Sequence, residues 1–217
     1  DLRGPQALPE HSTSTHQTAL HLAASSNAGG EPGKTVIYTL LSLHREAAQL
    51  QDGIDGSLPL HRMVENPRKQ DWPNHAQILH HFYPRAVQIP DRSGKLPLHR
   101  AAAGIAHEDH EGDQERSVII QLVRVFPQAA AHWDDDRCLP LHYLALNATV
   151  WDDDVEAVYN AHRNTIQARA GPKNRQPIHM AAASVKSQAS LVRRLVQLHP
   201  RGASLTDRDG KLPLHLA

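Results

Sequence analysis

The sequence predicts an all-α fold, a solenoid of stacked helix–turn–helix units joined by short turns. Three observations predict it. A phrase recurs as Leu58-Pro59-Leu60-His61, Leu96-Pro97-Leu98-His99, Leu139-Pro140-Leu141-His142 and Leu212-Pro213-Leu214-His215, with looser copies at Thr18-Ala19-Leu20-His21 and Gln176-Pro177-Ile178-His179. Its histidines stand at 21, 61, 99, 142, 179 and 215, so the steps are 40, 38, 43, 37 and 36 residues, the period of a stacked-repeat protein. After each phrase comes a second apolar stretch with the spacing of a helix face.

Each element has a local cause. Pro has a fixed φ and no N–H, and both suit the first position of a helix, so Leu-Pro-Leu-His reads as a helix start. Small residues follow it, at Ala23, Ala24, Ala101, Ala102, Ala181 and Ala182, and allow a neighbouring helix to come close. Turn signals precede it at Asp91-Arg92-Ser93-Gly94 and Asp207-Arg208-Asp209-Gly210. Gly takes φ > 0 without steric cost, and Asp bonds its own backbone two residues on. The second helix is carried by Val36, Ile37, Leu40 and Leu41 in the first unit. Val118, Ile119, Leu122, Val123 and Phe126 carry it in the third, and Leu191, Val192, Leu195 and Val196 in the fifth. Pro84, Pro127 and Pro200 stop it, because the residue before a proline disfavours helix. From the end of that helix to the next phrase His the chain takes 13 or 14 residues in every copy. The length variation therefore lies between or at the ends of the two helices.

These features resemble the ankyrin repeat, a turn, a T-P-L-H-x-A phrase and two helices over about 33 residues. The resemblance covers residues 16–217, as about five repeats and the start of a sixth. Residues 1–15 read as a leader or a degenerate preceding repeat. HEAT or armadillo stacks are the alternative, but the Asp-x-x-Gly turn and the Pro-start phrase do not belong to them. The sequence departs from the family where Leu58, Leu96, Leu139, Leu212 and Gln176 replace the phrase threonine, whose hydroxyl would cap the helix. The resemblance implies that the phrase histidines are structural, hydrogen-bonded to backbone near the turns. It also implies a concave binding face of turn tips and first helices. The tips are Asp55, Ser57, Arg92, Ser93, Lys95, Asp135, Asp136, Arg137, Lys173, Asn174, Arg175, Arg208, Asp209 and Lys211.

His107-Glu108-Asp109-His110, with Glu111 and Asp113, carries metal-ligand types, but without zincin spacing it reads as an exposed polar insertion. The phrase histidines are one repeat apart, too far to share an ion. Cys138 has His142 four residues on, yet it occupies the variable place filled elsewhere by Ser57, Lys95 and Lys211. No phosphate loop, nucleophile elbow or kinase signature is present. The run Asp152-Asp153-Asp154 opens a helix, where acidic residues oppose the dipole favourably. The run Asp134-Asp135-Asp136 lies at a turn and is a candidate for binding.

Composition narrows the function. The 23 basic and 23 acidic residues balance, and no basic block points to nucleic acid. One cysteine predicts a reducing, cytoplasmic setting, and no run of about 18 apolar residues encodes a membrane span. A chain that starts at Asp1 and stops just inside a sixth phrase predicts a piece of a longer protein. The expectation is a monomeric, non-catalytic module without cofactor or metal that binds another protein or peptide. The alternative is the regulatory array of a larger enzyme or channel.

Overall fold

The computed structural model describes residues 17–26, 30–65, 72–104 and 117–217, with 30–34 and 72–75 described in backbone alone. The fold is all-α. Among the described residues ten α-helices run in order: α1 Ala19–Ser25, α2 Gly30–Leu43, α3 Pro59–Val64, α4 Trp72–Phe82, α5 Pro97–Gly104, α6 Val118–Val125, α7 Pro140–Asn147, α8 Asp153–Ala161, α9 Pro177–Ala183 and α10 Ala189–Leu198. No strand occurs among the described residues, which hold one isolated antiparallel bridge, Ala170 with Arg175.

The odd helices are the phrase helices. Pro is the first helical residue of α3, α5, α7 and α9, after an extended residue such as Leu58 (φ −77°, ψ 161°) or Gln176 (φ −83°, ψ 164°). Odd helices pack on one another in succession, α1 on α3, α3 on α5, α5 on α7 and α7 on α9. Even helices do the same from α2 to α8, and each odd helix also packs on the even helix after it. The seam between odd helices is small: Ala24, Ala102, Ala145 and Ala181 are all buried. At Gly104 the approach is closer still, since a Cβ there would sit 2.5 Å from the Glu65 carbonyl oxygen.

The core lies between the two rows. The phrase residues Leu20, Leu60, Leu98, Leu141 and Ile178 are buried and join Ile37, Leu41, Leu79, Ile119, Leu122, Val155, Val158, Leu191 and Leu195 in one cluster. Burying one such side chain stabilises by about 1.5–3 kcal/mol. In place of the phrase threonine, Leu58, Leu96 and Leu139 are core residues too.

The chain does not simply stop at Pro84, Pro127 and Pro200. Each opens a five-residue 3-10 turn, over Pro84–Gln88, Pro127–Ala131 and Pro200–Ser204. Arg45–Gln49 and Arg163–Gln167 form the same turn without proline. The residue before the turn is near φ −140° and ψ 80° with proline (Phe126 −141°, 78°) and without it (His44 −139°, 79°). Packing therefore sets this conformation, and proline only favours it. The acidic run at 152–154 behaves as expected: Asp152 caps α8, accepting from the Val155 N–H at 3.0 Å.

Leucines of one helix differ in environment. In α2 Leu41 is fully buried, whereas Leu43 is 70% exposed. Replacing Leu41 with Ala should cost about 2–5 kcal/mol and the same change at Leu43 less than about 0.5 kcal/mol. Urea denaturation followed by circular dichroism checks both; equal losses would contradict this packing.

Candidate functional site

Five turns connect the units: 52–57, 91–95, 134–138, 170–175 and 207–211. In four of them the first residue is a buried aspartate, Asp52, Asp91, Asp134 or Asp207. One carboxylate oxygen accepts the N–H groups of its own turn. Asp91 Oδ1 takes Ser93 N at 2.8 Å and Lys95 N at 3.0 Å, Asp207 Oδ1 takes Asp209 N at 2.9 Å and Lys211 N at 3.0 Å, and Asp134 Oδ1 takes Cys138 N at 2.7 Å. The other oxygen accepts from a longer side chain. Arg62 Nη2 reaches Asp52 at 2.7 Å, Arg100 Nε reaches Asp91 at 2.7 Å, Tyr143 Oη reaches Asp134 at 2.6 Å and Arg175 Nε reaches Asp207 at 3.0 Å. Burial raises the Asp91 carboxyl pKa, and the Arg100 and turn-amide bonds outweigh it, so the net shift is downward. The fourth turn has Ala170 instead and closes through backbone bonds to Arg175 at 2.7 and 2.9 Å.

The penultimate residue of every turn has positive φ. It is Gly56 (72°), Gly94 (72°) or Gly210 (74°) in three turns, Arg137 (55°) in the third and Asn174 (55°) in the fourth. Consecutive turns are tied by single backbone bonds: Arg92 N to Asp55 O at 2.8 Å, Asp135 N to Ser93 O at 3.0 Å, Gly171 N to Arg137 O at 3.4 Å and Arg208 N to Lys173 O at 2.8 Å.

The phrase histidines hold this row to the helices. In each, Nδ1 accepts the N–H of the residue three earlier, at 3.1 Å for Leu58 and His61 and 3.2 Å for Leu96 and His99. That N–H is one the missing threonine hydroxyl would not have satisfied; where threonine remains, Thr18 Oγ1 caps α1 by accepting from His21 N at 3.4 Å. With Nδ1 an acceptor, Nε2 carries the proton and donates to a carbonyl of the next turn region. His21 reaches Ser57 O (2.9 Å), His61 Lys95 O (3.1 Å), His99 His132 O (3.0 Å), His142 Ala168 O (3.0 Å) and His179 Leu205 O (3.1 Å).

The predicted tip residues divide. Ser57 is fully buried and is corrected: its carbonyl serves His21, and it offers nothing to a partner. Asp55 is spent internally, accepting from Arg62 and from Arg100, each at 2.8 Å. Arg175 is held by Asp207. Lys95 sits 3.5 Å from Asp136 and lies over the Tyr143 ring. Lys173 pairs with Asp209 at 3.1 Å, both half-exposed. Arg92 donates to the Gly53 carbonyl at 2.9 Å, and Ser93 Oγ to Asp91. Asp135, Arg137, Asn174, Arg208 and Lys211 are exposed. The acidic run 134–136 is thus split, with Asp134 turned inward and Asp135 and Asp136 outward.

The structure brings five of the predicted residues around one open hollow of about 690 Å³. Asp135, Asp136 and Arg137 of the third turn, Gly171, Pro172 and Asn174 of the fourth and Arg208 of the fifth line it. Sequence reasoning missed the inner network of Arg62, Glu65 and Arg100, in which Glu65 accepts from both arginines. A signal existed: Arg62 and Arg100 follow the phrase His in the units whose turns begin with Asp52 and Asp91, whereas Met180 follows it where the turn begins with Ala170.

The metal candidates His107 and His110 lie outside the described residues, among which no group of three or more His, Cys, Asp or Glu converges on one point. Burial pushes the Cys138 thiol up to about 11, so a thiolate there is disfavoured. No helix among the described residues is long and apolar enough to cross a membrane.

No family model matches the chain, and no curated protein matches it. Among solved structures it is similar to a chain of the Bd0816 predatory endopeptidase from Bdellovibrio bacteriovorus in complex with immunity protein Bd3460. The TM-score is 0.66 at 15% identity, covering 91% of this chain and 89% of that one. At this identity the likeness shows the fold alone. It does correct one expectation: with a complex named for an endopeptidase among its structural neighbours, the absence of familiar catalytic motifs no longer excludes an enzyme, and the expectation of a non-catalytic chain is withdrawn.

The histidines predict a pH dependence. Burial lowers His61, His99 and His142 to about 4. They stay neutral when folded and take up protons on unfolding below their free value near 6.5. Stability should therefore be flat above pH 7 and fall as pH drops from 6.5 to 4, with a slope approaching three protons from these groups. Denaturation midpoints measured across that range check it, and His99→Gln should lower the midpoint at pH 7 while flattening the slope.

Proposed function

We propose that the chain is a divergent ankyrin repeat array, a solenoid of about five repeats, and that its turn face binds another protein. The observation that carries this reading is the row of five turns joined by four backbone hydrogen bonds, with exposed charged side chains along it. A row held in this way presents its side chains at little ordering cost on binding. The mixed signs of Asp135, Asp136, Arg137, Lys173, Arg208, Asp209 and Lys211 favour a protein surface over a uniformly anionic polymer. The histidine bonds agree with the structural role the ankyrin resemblance implies for them. The similar chain belongs to a complex of an endopeptidase with an immunity protein, which supports a protein partner for this fold.

A photo-crosslinking amino acid placed in turn at Asp136, Lys173 and Arg208, and at Arg124 and Arg193 on α6 and α10, tests the reading in native extract. One shared partner should crosslink from the turn positions and be absent from the helix positions. Equal labelling from both sets, or labelling from the helices alone, would remove the turn face from the argument.

A further inference from the structure

The hollow on the third to fifth turns has a charge asymmetry that the row as a whole lacks. Most cations along the turns are already engaged: Lys95 with Asp136, Lys173 with Asp209, Arg175 with Asp207, and Arg92 with the carbonyls of Gly53 and Ile54. Arg137 and Arg208 both line the hollow, and neither guanidinium has a hydrogen-bond or ion-pair partner among the described residues. Asn174 lines it as well, with its side-chain amide uncommitted. Of the two carboxylates there, Asp136 faces Lys95, which leaves Asp135 as the one uncommitted acidic side chain in the lining.

Backbone conformation singles out the same place. Arg137 and Asn174 are the non-glycine residues with positive φ among those described, and both lie in this hollow. The three other turns have glycine at that position. A left-handed conformation is sterically disfavoured for a residue with a Cβ, less so for Asn, whose side chain tolerates it. Arginine at position 137 is thus the locally unfavourable choice, and such strain is found where a side chain serves a ligand. Guanidinium groups suit carboxylates, which they bind through paired, charge-assisted N–H···O bonds.

We infer that this hollow takes an acidic segment of the protein partner, with Arg137 and Arg208 binding its carboxylates and Asn174 donating from beside them. Asp135 sets the orientation by facing a donor of the segment. This rests on the turn-face reading and specifies the chemistry of what binds there. Like-charged segments are excluded by the same two guanidinium groups, so the hollow adds discrimination as well as affinity.

The test uses the full chain and three labelled peptides that are identical except at alternate positions, which carry Glu, Gln or Lys. Fluorescence anisotropy at low and at physiological salt reads binding. The Glu peptide should bind at least about tenfold more tightly than the Gln peptide, and salt should weaken it. Arg137→Gly, which relieves the left-handed strain, and Arg208→Gln should each reduce Glu-peptide binding by about tenfold, with melting temperatures unchanged or raised for Arg137→Gly. Arg85→Gln, on the exposed 3-10 turn after α4, should leave binding as it was. Equal binding of the Glu and Gln peptides overturns the inference, and so does Glu-peptide binding that survives both substitutions. Preference for the Lys peptide, abolished by Asp135→Asn, overturns it while keeping the turn face as a binding surface. Binding of none of the three overturns it too, and the turn-face reading then stands or falls on the crosslinking contrast alone.

Discussion

The structure depends on one repeated arrangement, a buried neutral imidazole bonded on both nitrogens. Nδ1 closes the start of its own helix, and Nε2 reaches across to a carbonyl of the next turn region. A buried polar group without partners would cost free energy, and this one is satisfied twice. One side chain therefore fixes where a helix begins and how far away the next unit sits. Leu58, Leu96 and Leu139, at the position before the proline, supply no capping hydroxyl and are buried in the core.

The turn aspartates complete the arrangement. Each is buried, organises its own loop by accepting turn amides, and is compensated by a side chain from a phrase helix or a neighbouring turn. Where the aspartate is missing, at Ala170, the partner position holds Met180 and a backbone bridge closes the turn instead. Asp55 in the first turn and Glu65 at the end of α3 each bind arginines from two successive units, so charge also links neighbours there. Between the fourth and fifth turns the links are the pairs Arg175–Asp207 and Lys173–Asp209, while Arg137 and Arg208 are exposed.

Much of this was legible beforehand. Pro59, Pro97, Pro140 and Pro177 mark their helix starts through local backbone chemistry, which acts whatever surrounds it. The spacing of Ile119, Leu122 and Val123 marks a buried face for the same reason. Gly94 and Gly210 mark turns, and Asp152 marks a cap. The 3-10 turn at Arg45 and Arg163 was not legible, because no residue there requires it and packing imposes it. Ser57 looked like a tip because of its place beside the phrase; its burial comes from the unit before it, through His21.

The sequence by itself determined the all-α class, the helix starts, the repeat period and the apolar faces, since each follows from backbone preference and side-chain periodicity within a short window. Only the tertiary structure decided which polar side chains are used up inside the protein and which remain for a partner. Asp55 and Asp135 are alike in sequence terms, and Lys95 and Lys211 occupy the same turn position. What separates them is whether a neighbouring unit brings an opposite charge within reach, as Arg100 does for Asp55 and Asp136 for Lys95. That contact depends on residues more than 30 positions apart in the chain, a separation that local preference cannot bridge.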